Sequence, residues 1–87
     1  MQKYIYLVNI HYYEDNEYFD YAFSTEEKML EFAKKQIDER VDYYKINDER
    51  EATEYELDRE NGHLWIENEG RIDCHRMELD TWEGTLL

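Results

Sequence analysis

The chain has no proline, three glycines and a single cysteine, and each scarcity excludes something. Without proline, and without Ser- or Gly-rich tracts, there is no sign of a linker, so residues 1–87 read as one domain. Glycines only at 62, 70 and 84 leave no Gly-rich loop to cradle a phosphate. One cysteine, Cys74, cannot form an internal disulfide, which fits a reducing compartment such as a bacterial cytoplasm. The opening apolar run, Tyr4 to Val8, is too short for a signal peptide or a membrane span. Basic residues are the other shortage: 10 Lys and Arg stand against 23 Asp and Glu, a net charge of −13. Such a chain is repelled by nucleic acid and anionic membranes and attracted to basic surfaces.

Aromatic residues are plentiful. Nine Tyr, three Phe and two Trp oppose the disorder that high charge and low hydropathy would otherwise imply. Residues 4–13 form a first expected strand, with Ile5 and Leu7 on one face and Tyr4, Tyr6, Val8, Ile10 and Tyr12 on the other. Residues 17–23 form a second, joined to it through Glu14-Asp15-Asn16. Ser24-Thr25-Glu26-Glu27 predicts a capping box, with Ser24 as N-cap. In the helix that follows, Leu30, Ala33, Ile37, Val41 and Tyr44 form an apolar stripe that Met29 and Phe32 widen. Residues 45–51 read as a charged connector. Three further strands are expected, over 53–60, 63–67 and 71–79, with a type I′ turn at Asn61-Gly62. The tail from Asp80, with Trp82, is expected to dock loosely. The predicted fold is therefore α+β: an antiparallel sheet of four to five strands with one helix packed on one face, β-β-α-β-β-β.

The acid excess is uneven. Residues 24–45 carry six acids and five bases, whereas residues 46–87 carry thirteen acids and four bases. Within that half, Glu54, Glu56, Asp58 and Glu60 recur at every second position and would stand in a row on a strand, about 6.8 Å apart. With Glu49, Glu51, Glu67, Glu69 and Asp73 they could build one negative surface resembling DNA in charge. The plain reading of the same row is a solvated strand whose charge protects a sheet edge. The Tyr4, Tyr6, Val8, Ile10 and Tyr12 face is the second candidate, a dimer or partner interface if the helix covers the opposite side.

Catalytic and metal signals are weak. Cys74 and His75 are adjacent, so on a strand they point to opposite faces and cannot share a site. A Cys74 nucleophile would need His11 or His63 brought to it in space. No Cys-x-x-Cys or His-x-x-x-His spacing is present, and the acids at 14–20 lack the spacing of a calcium loop. No catalytic residue, metal site or cofactor is expected.

Tyr6-Leu7-Val8, His11-Tyr12-Tyr13-Glu14, Phe23-Ser24-Thr25-Glu26-Glu27-Lys28 and Glu78-Leu79-Asp80-Thr81-Trp82-Glu83-Gly84 resemble the corresponding stretches of a set of small phage and bacterial proteins. Those proteins open with a Tyr-Leu-Val strand, enter a helix at Phe-Ser-Thr-x-Glu-Lys and close with Leu-Asp-x-Trp-x-x-Gly. Met29 stands where they often carry Ala, and the acid row lies outside the shared pattern. The resemblance implies a phage-linked context and no activity. In composition the chain is similar to acidic antirestriction and anti-CRISPR inhibitors. The expected role is thus a non-enzymatic DNA mimic that occupies the basic nucleic-acid site of a host defence nuclease, without contacting nucleic acid or membrane itself. The alternative is a small homodimeric interaction module whose acidity serves solubility.

Overall fold

The computed structural model describes residues 3–46, 54–82 and 84. The elements run β1 (Tyr4–Tyr12), β2 (Glu17–Phe23), α1 (Glu26–Tyr43), β3 (Tyr55–Asp58), β4 (His63–Ile66) and β5 (Gly70–Glu78). All pairings are antiparallel, and the five strands lie in the order β2-β1-β5-β4-β3. This is the expected α+β arrangement, with β1 and β5 paired along nine positions at its centre.

Register decides which side chains share a face. Tyr6, Val8, Ile10 and Tyr12 on β1 stand beside Arg76, Cys74, Ile72 and Gly70 on β5, and Ile72 stands beside Leu64 on β4. Val8, Ile10, Leu64, Ile66 and Ile72 therefore make one broad apolar area, and α1 covers it with Met29, Ala33 and Ile37. The face expected to remain open for a dimer is thus the core face. Val8 and Ile10 are buried in it, Tyr6 and Tyr12 pack against it, and the Arg76 guanidinium lies 4.3 Å over the Tyr4 ring. The reason is area. On the other side the sheet itself sets only Ala22 and Met77 beside Ile5 and Leu7 among the described residues, because Asn9, Asp73 and His75 interrupt that face. Leu79 and Trp82 suffice to cover so small a patch. The tail docks through a 3₁₀ turn at Leu79–Thr81, anchored where the Leu79 amide donates to the Lys3 carbonyl at 3.0 Å.

The helix begins one residue later than the capping box predicts. Thr25 is extended, and its hydroxyl accepts from the Lys28 amide at 3.2 Å, so Thr25 and not Ser24 is the N-cap. The third helical residue is then Lys28, a donor that cannot return the bond as Glu27 would have done. Glu26 and Glu27 still sit in the first turn, where the helix dipole favours them.

The helix end holds a feature that the sequence reading placed in a plain connector. The Ile46 amide donates to the Val41 carbonyl at 3.1 Å and the Lys45 amide to Asp42 at 3.2 Å. This double bond pattern is the Schellman motif. It buries Ile46 in the core and forces Lys45 to φ 54°, the left-handed region. A residue with a Cβ is strained there. Lys45→Gly is therefore expected to raise stability by about 0.5–1 kcal/mol, seen as a higher urea midpoint with an unchanged slope.

The strand expected over 53–60 is shorter. Thr53 lies outside the described residues, β3 ends at Asp58, and Arg59–Asn61 forms a 3₁₀ turn closed by Gly62 at φ 71°. The hairpin loop thus spans residues 59–62 instead of a two-residue Asn61-Gly62 turn. Its anchor is Arg59, whose Nε and Nη2 donate to the two Asp38 oxygens of α1 at 2.8 and 2.9 Å. This fork draws the turn toward the helix and out of the sheet's alternation.

Candidate functional site on the uncovered sheet face

Beyond the patch under Trp82, no element among the described residues covers the sheet face opposite α1, and alternation assigns its residues. From β2 come Tyr18 and Asp20, from β1 Asn9 and His11, and from β5 Arg71, Asp73 and His75. His63 and Trp65 on β4, with Glu56 and Asp58 on β3, complete it. All three histidines of the chain fall on this face. At the strand positions of this face stand Asp20, Glu56, Asp58 and Asp73, and Arg71 is the one Arg or Lys among them.

Two polar groupings organise the surface. In the first, His63 bridges the strands on either side of β4. Its Nδ1 lies 2.7 Å from Asp73 Oδ1 and its Nε2 lies 3.3 Å from Glu56 Oε2, while Arg71 Nε lies 3.5 Å from the other Asp73 oxygen. These four residues and Trp65 line a shallow cleft of about 260 Å³. In the second, His11 stacks on Tyr18 with ring centroids 3.8 Å apart and meets Tyr13 edge-on at 4.7 Å. The Asn9 amide donates to Asp20 beside it.

Burial pulls the His63 imidazole down, but its bonds to Asp73 and Glu56 and their charges outweigh this and hold it above its ordinary 6.5. A proton bound more tightly in the folded state adds stability that is complete below 6.5 and disappears as pH rises through the folded value. The stability difference between the wild type and His63→Gln should therefore be largest near about pH 5.5 and smallest near about pH 8.5. Urea titrations at the two pH values would show this. A difference independent of pH would mean that the bridge is not linked to a proton.

The expected acid row is only partly assembled. Glu56 and Asp58 stand together on the uncovered face, Asp58 accepting from Asn61 Nδ2 at 2.8 Å. Glu54 precedes β3 beside Glu67, where the Glu67 amide donates to the Glu54 carbonyl at 3.0 Å. Glu60 has left the row with the 3₁₀ turn and pairs with Lys34 at 3.2 Å and Arg59 at 3.6 Å. The Glu69 side chain bonds to Tyr44 at the end of the helix segment. Glu49 and Glu51 lie outside the described residues. Asp20, His63 and Arg71 join this surface without having been among the expected partner-binding residues. Parity is the signal for Asp20 and His63, polar residues that alternate with Phe19, Tyr21 and Leu64, whereas Arg71 lies on a largely polar strand and is placed by its pairing with Trp65.

Cys74 lies on the core face, away from the histidines of the uncovered one. Burial, with the charge of Asp73 beside it, pushes its thiol up to about 11, which keeps it protonated at neutral pH. Among the described residues no three His, Cys, Asp or Glu side chains gather as a metal site, and no helix is long and apolar enough to cross a membrane. Comparison with protein-family models, curated proteins and solved structures finds no match.

Proposed function

We propose that this chain is a non-enzymatic binding protein whose uncovered sheet face occupies a basic, nucleic-acid-binding surface of another protein. The observation that carries the reading is the composition of that face. At its strand positions four carboxylates share that face with one guanidinium, in a chain of net charge −13. Like charges gathered on one face repel each other, a cost that a basic partner relieves. The Trp65, Tyr18 and Arg71 side chains among them are of the types that anchor protein interfaces. Phage-like motifs at both ends suggest the partner class, a host defence nuclease such as a CRISPR effector or a restriction enzyme, blocked by mimicry of DNA charge. The homodimer alternative is less favoured, since Val8 and Ile10 of its expected face are buried in the core that α1 covers.

Co-purification from a bacterial lysate tests this. Partners retained at about 50 mM salt and released at about 500 mM should be nucleic-acid-binding proteins, because screening removes such attraction. Retention of partners lacking a basic surface, or retention insensitive to salt, would refute the reading.

A further inference from the structure

The sheet has two edges, β2 and β3, and they differ in what they leave available. On β2 Tyr18 stacks on His11 and Phe19 meets Tyr12 edge-on at 5.7 Å, both still exposed. The uncovered face receives from it one carboxylate, Asp20, which accepts from Asn9, whereas β3 gives that face two, Glu56 and Asp58. On β3 all four residues are exposed, including Tyr55 at 41% and Leu57 at 37%.

One hydrogen bond sets the phase of the β3 backbone. The Glu67 amide donates to the Glu54 carbonyl at 3.0 Å, and the register places Tyr55 opposite Ile66 and Leu57 opposite Leu64. In an antiparallel pair, residues that bond across the ladder alternate with residues that do not. Glu54, Glu56 and Asp58 therefore turn their N–H and C=O groups toward β4, and Tyr55 and Leu57 turn theirs outward. Among the described residues no strand lies beyond them.

We infer that the outer edge of β3 accepts an extended segment of the partner as a sixth strand, an inference that rests on the acidic-surface reading above. Alternation specifies the segment. Its residues beside Glu56 and Asp58 are Lys or Arg, on the uncovered face. Those beside Tyr55 and Leu57 are apolar, on the helix side. A second copy of this chain does not fit, because antiparallel pairing of two β3 edges keeps the carboxylates of both copies side by side on one face. Two outward residues supply only four backbone hydrogen bonds, so the basic and apolar side chains carry the selectivity.

Two synthetic nine-residue peptides of alternating Lys and Val provide the test, one plain and one N-methylated at each Val. The Val amides are those that would face β3, and methylation removes them as donors while keeping the charge. Amide hydrogen exchange of the intact chain at low salt is the measurement. With the plain peptide at saturation, the Tyr55 and Leu57 amides should slow by about tenfold or more while the Glu56 amide, already bonded to β4, changes little. The methylated peptide should give no such protection. Equal binding of both peptides without protection at Tyr55 and Leu57, or protection along β2 instead, would overturn the added strand and leave the acidic surface standing. Failure of both peptides to bind would overturn the two readings together.

Discussion

Gly70→Ala is expected to destabilise the fold by about 2–4 kcal/mol, a large share of the roughly 5–15 kcal/mol that holds a small domain together. Gly70 opens β5 directly opposite Tyr12. A Cβ there would overlap the His11 carbonyl oxygen and lie 3.5 Å from the Tyr12 Cα. The obstruction is backbone, in the central seam where β1 and β5 pair along nine positions, so relief requires parting the two strands locally. Gly62→Ala makes a useful contrast. Its φ of 71° adds left-handed strain of about 1 kcal/mol, and its new Cβ would meet the Cys74 Sγ, a side chain with some freedom to turn. Thermal unfolding should rank the variants wild type, Gly62→Ala, Gly70→Ala, the last lower by about 10–25 °C. A loss below about 1 kcal/mol for Gly70→Ala would mean that β1 and β5 sit farther apart than the register requires.

The features that were legible in the sequence are those set by local periodicity. The helix stripe, the β2 alternation and the separation of Cys74 from His75 all hold in the structure, because a period of 3.6 or 2 dictates them wherever the element docks. Which face of β1 meets the helix is not a local property. Both faces carry apolar residues, and the choice falls to β4 and β5, whose Leu64, Ile66 and Ile72 extend one side only. The N-cap shift has a different origin: Ser24 and Thr25 both qualify, and the residue that turns extended takes the role. Lys45 concealed the helix end because a lysine in a left-handed position carries no sequence signal.

The acidic row failed as a row for a similar reason. Alternation continues through Glu60 in the sequence, but Arg59 reaches Asp38, twenty-one positions earlier, and bends the chain there. The pairing that brings His63 between Glu56 and Asp73 also depends on distant strands. Parity alone placed His63, Trp65 and Glu67 on one face, without naming what lies beside them. The candidate surface was therefore half visible: its charge and the Glu56–Asp58 pair could be read, whereas its extent across β1, β2 and β5 required the strand order.

Replacing Glu56 and Asp58 together by lysine should weaken binding to the basic partner by more than about 100-fold at low salt. Each close interfacial charge pair couples by at least about 1.5 kcal/mol, and two lost pairs alone reach that factor before the new repulsion is added. Both positions are exposed on β3, so the fold should persist. The His63 bridge loses its arm to Glu56 at 3.3 Å and keeps the shorter one to Asp73 at 2.7 Å, a change expected to cost no more than about 1 kcal/mol. Circular dichroism and a urea midpoint near that of the wild type would establish this before binding is measured. Glu60→Lys is the matched control. It removes a carboxylate from the same stretch of sequence, but one turned toward Lys34 and Arg59, and it should leave affinity within about threefold. If the double variant binds like the wild type, β3 lies outside the interface and its carboxylates do no more than keep an edge strand soluble. If Glu60→Lys abolishes binding as well, the contact lies on the helix side of the hairpin, and the uncovered face is not the surface that the partner reads.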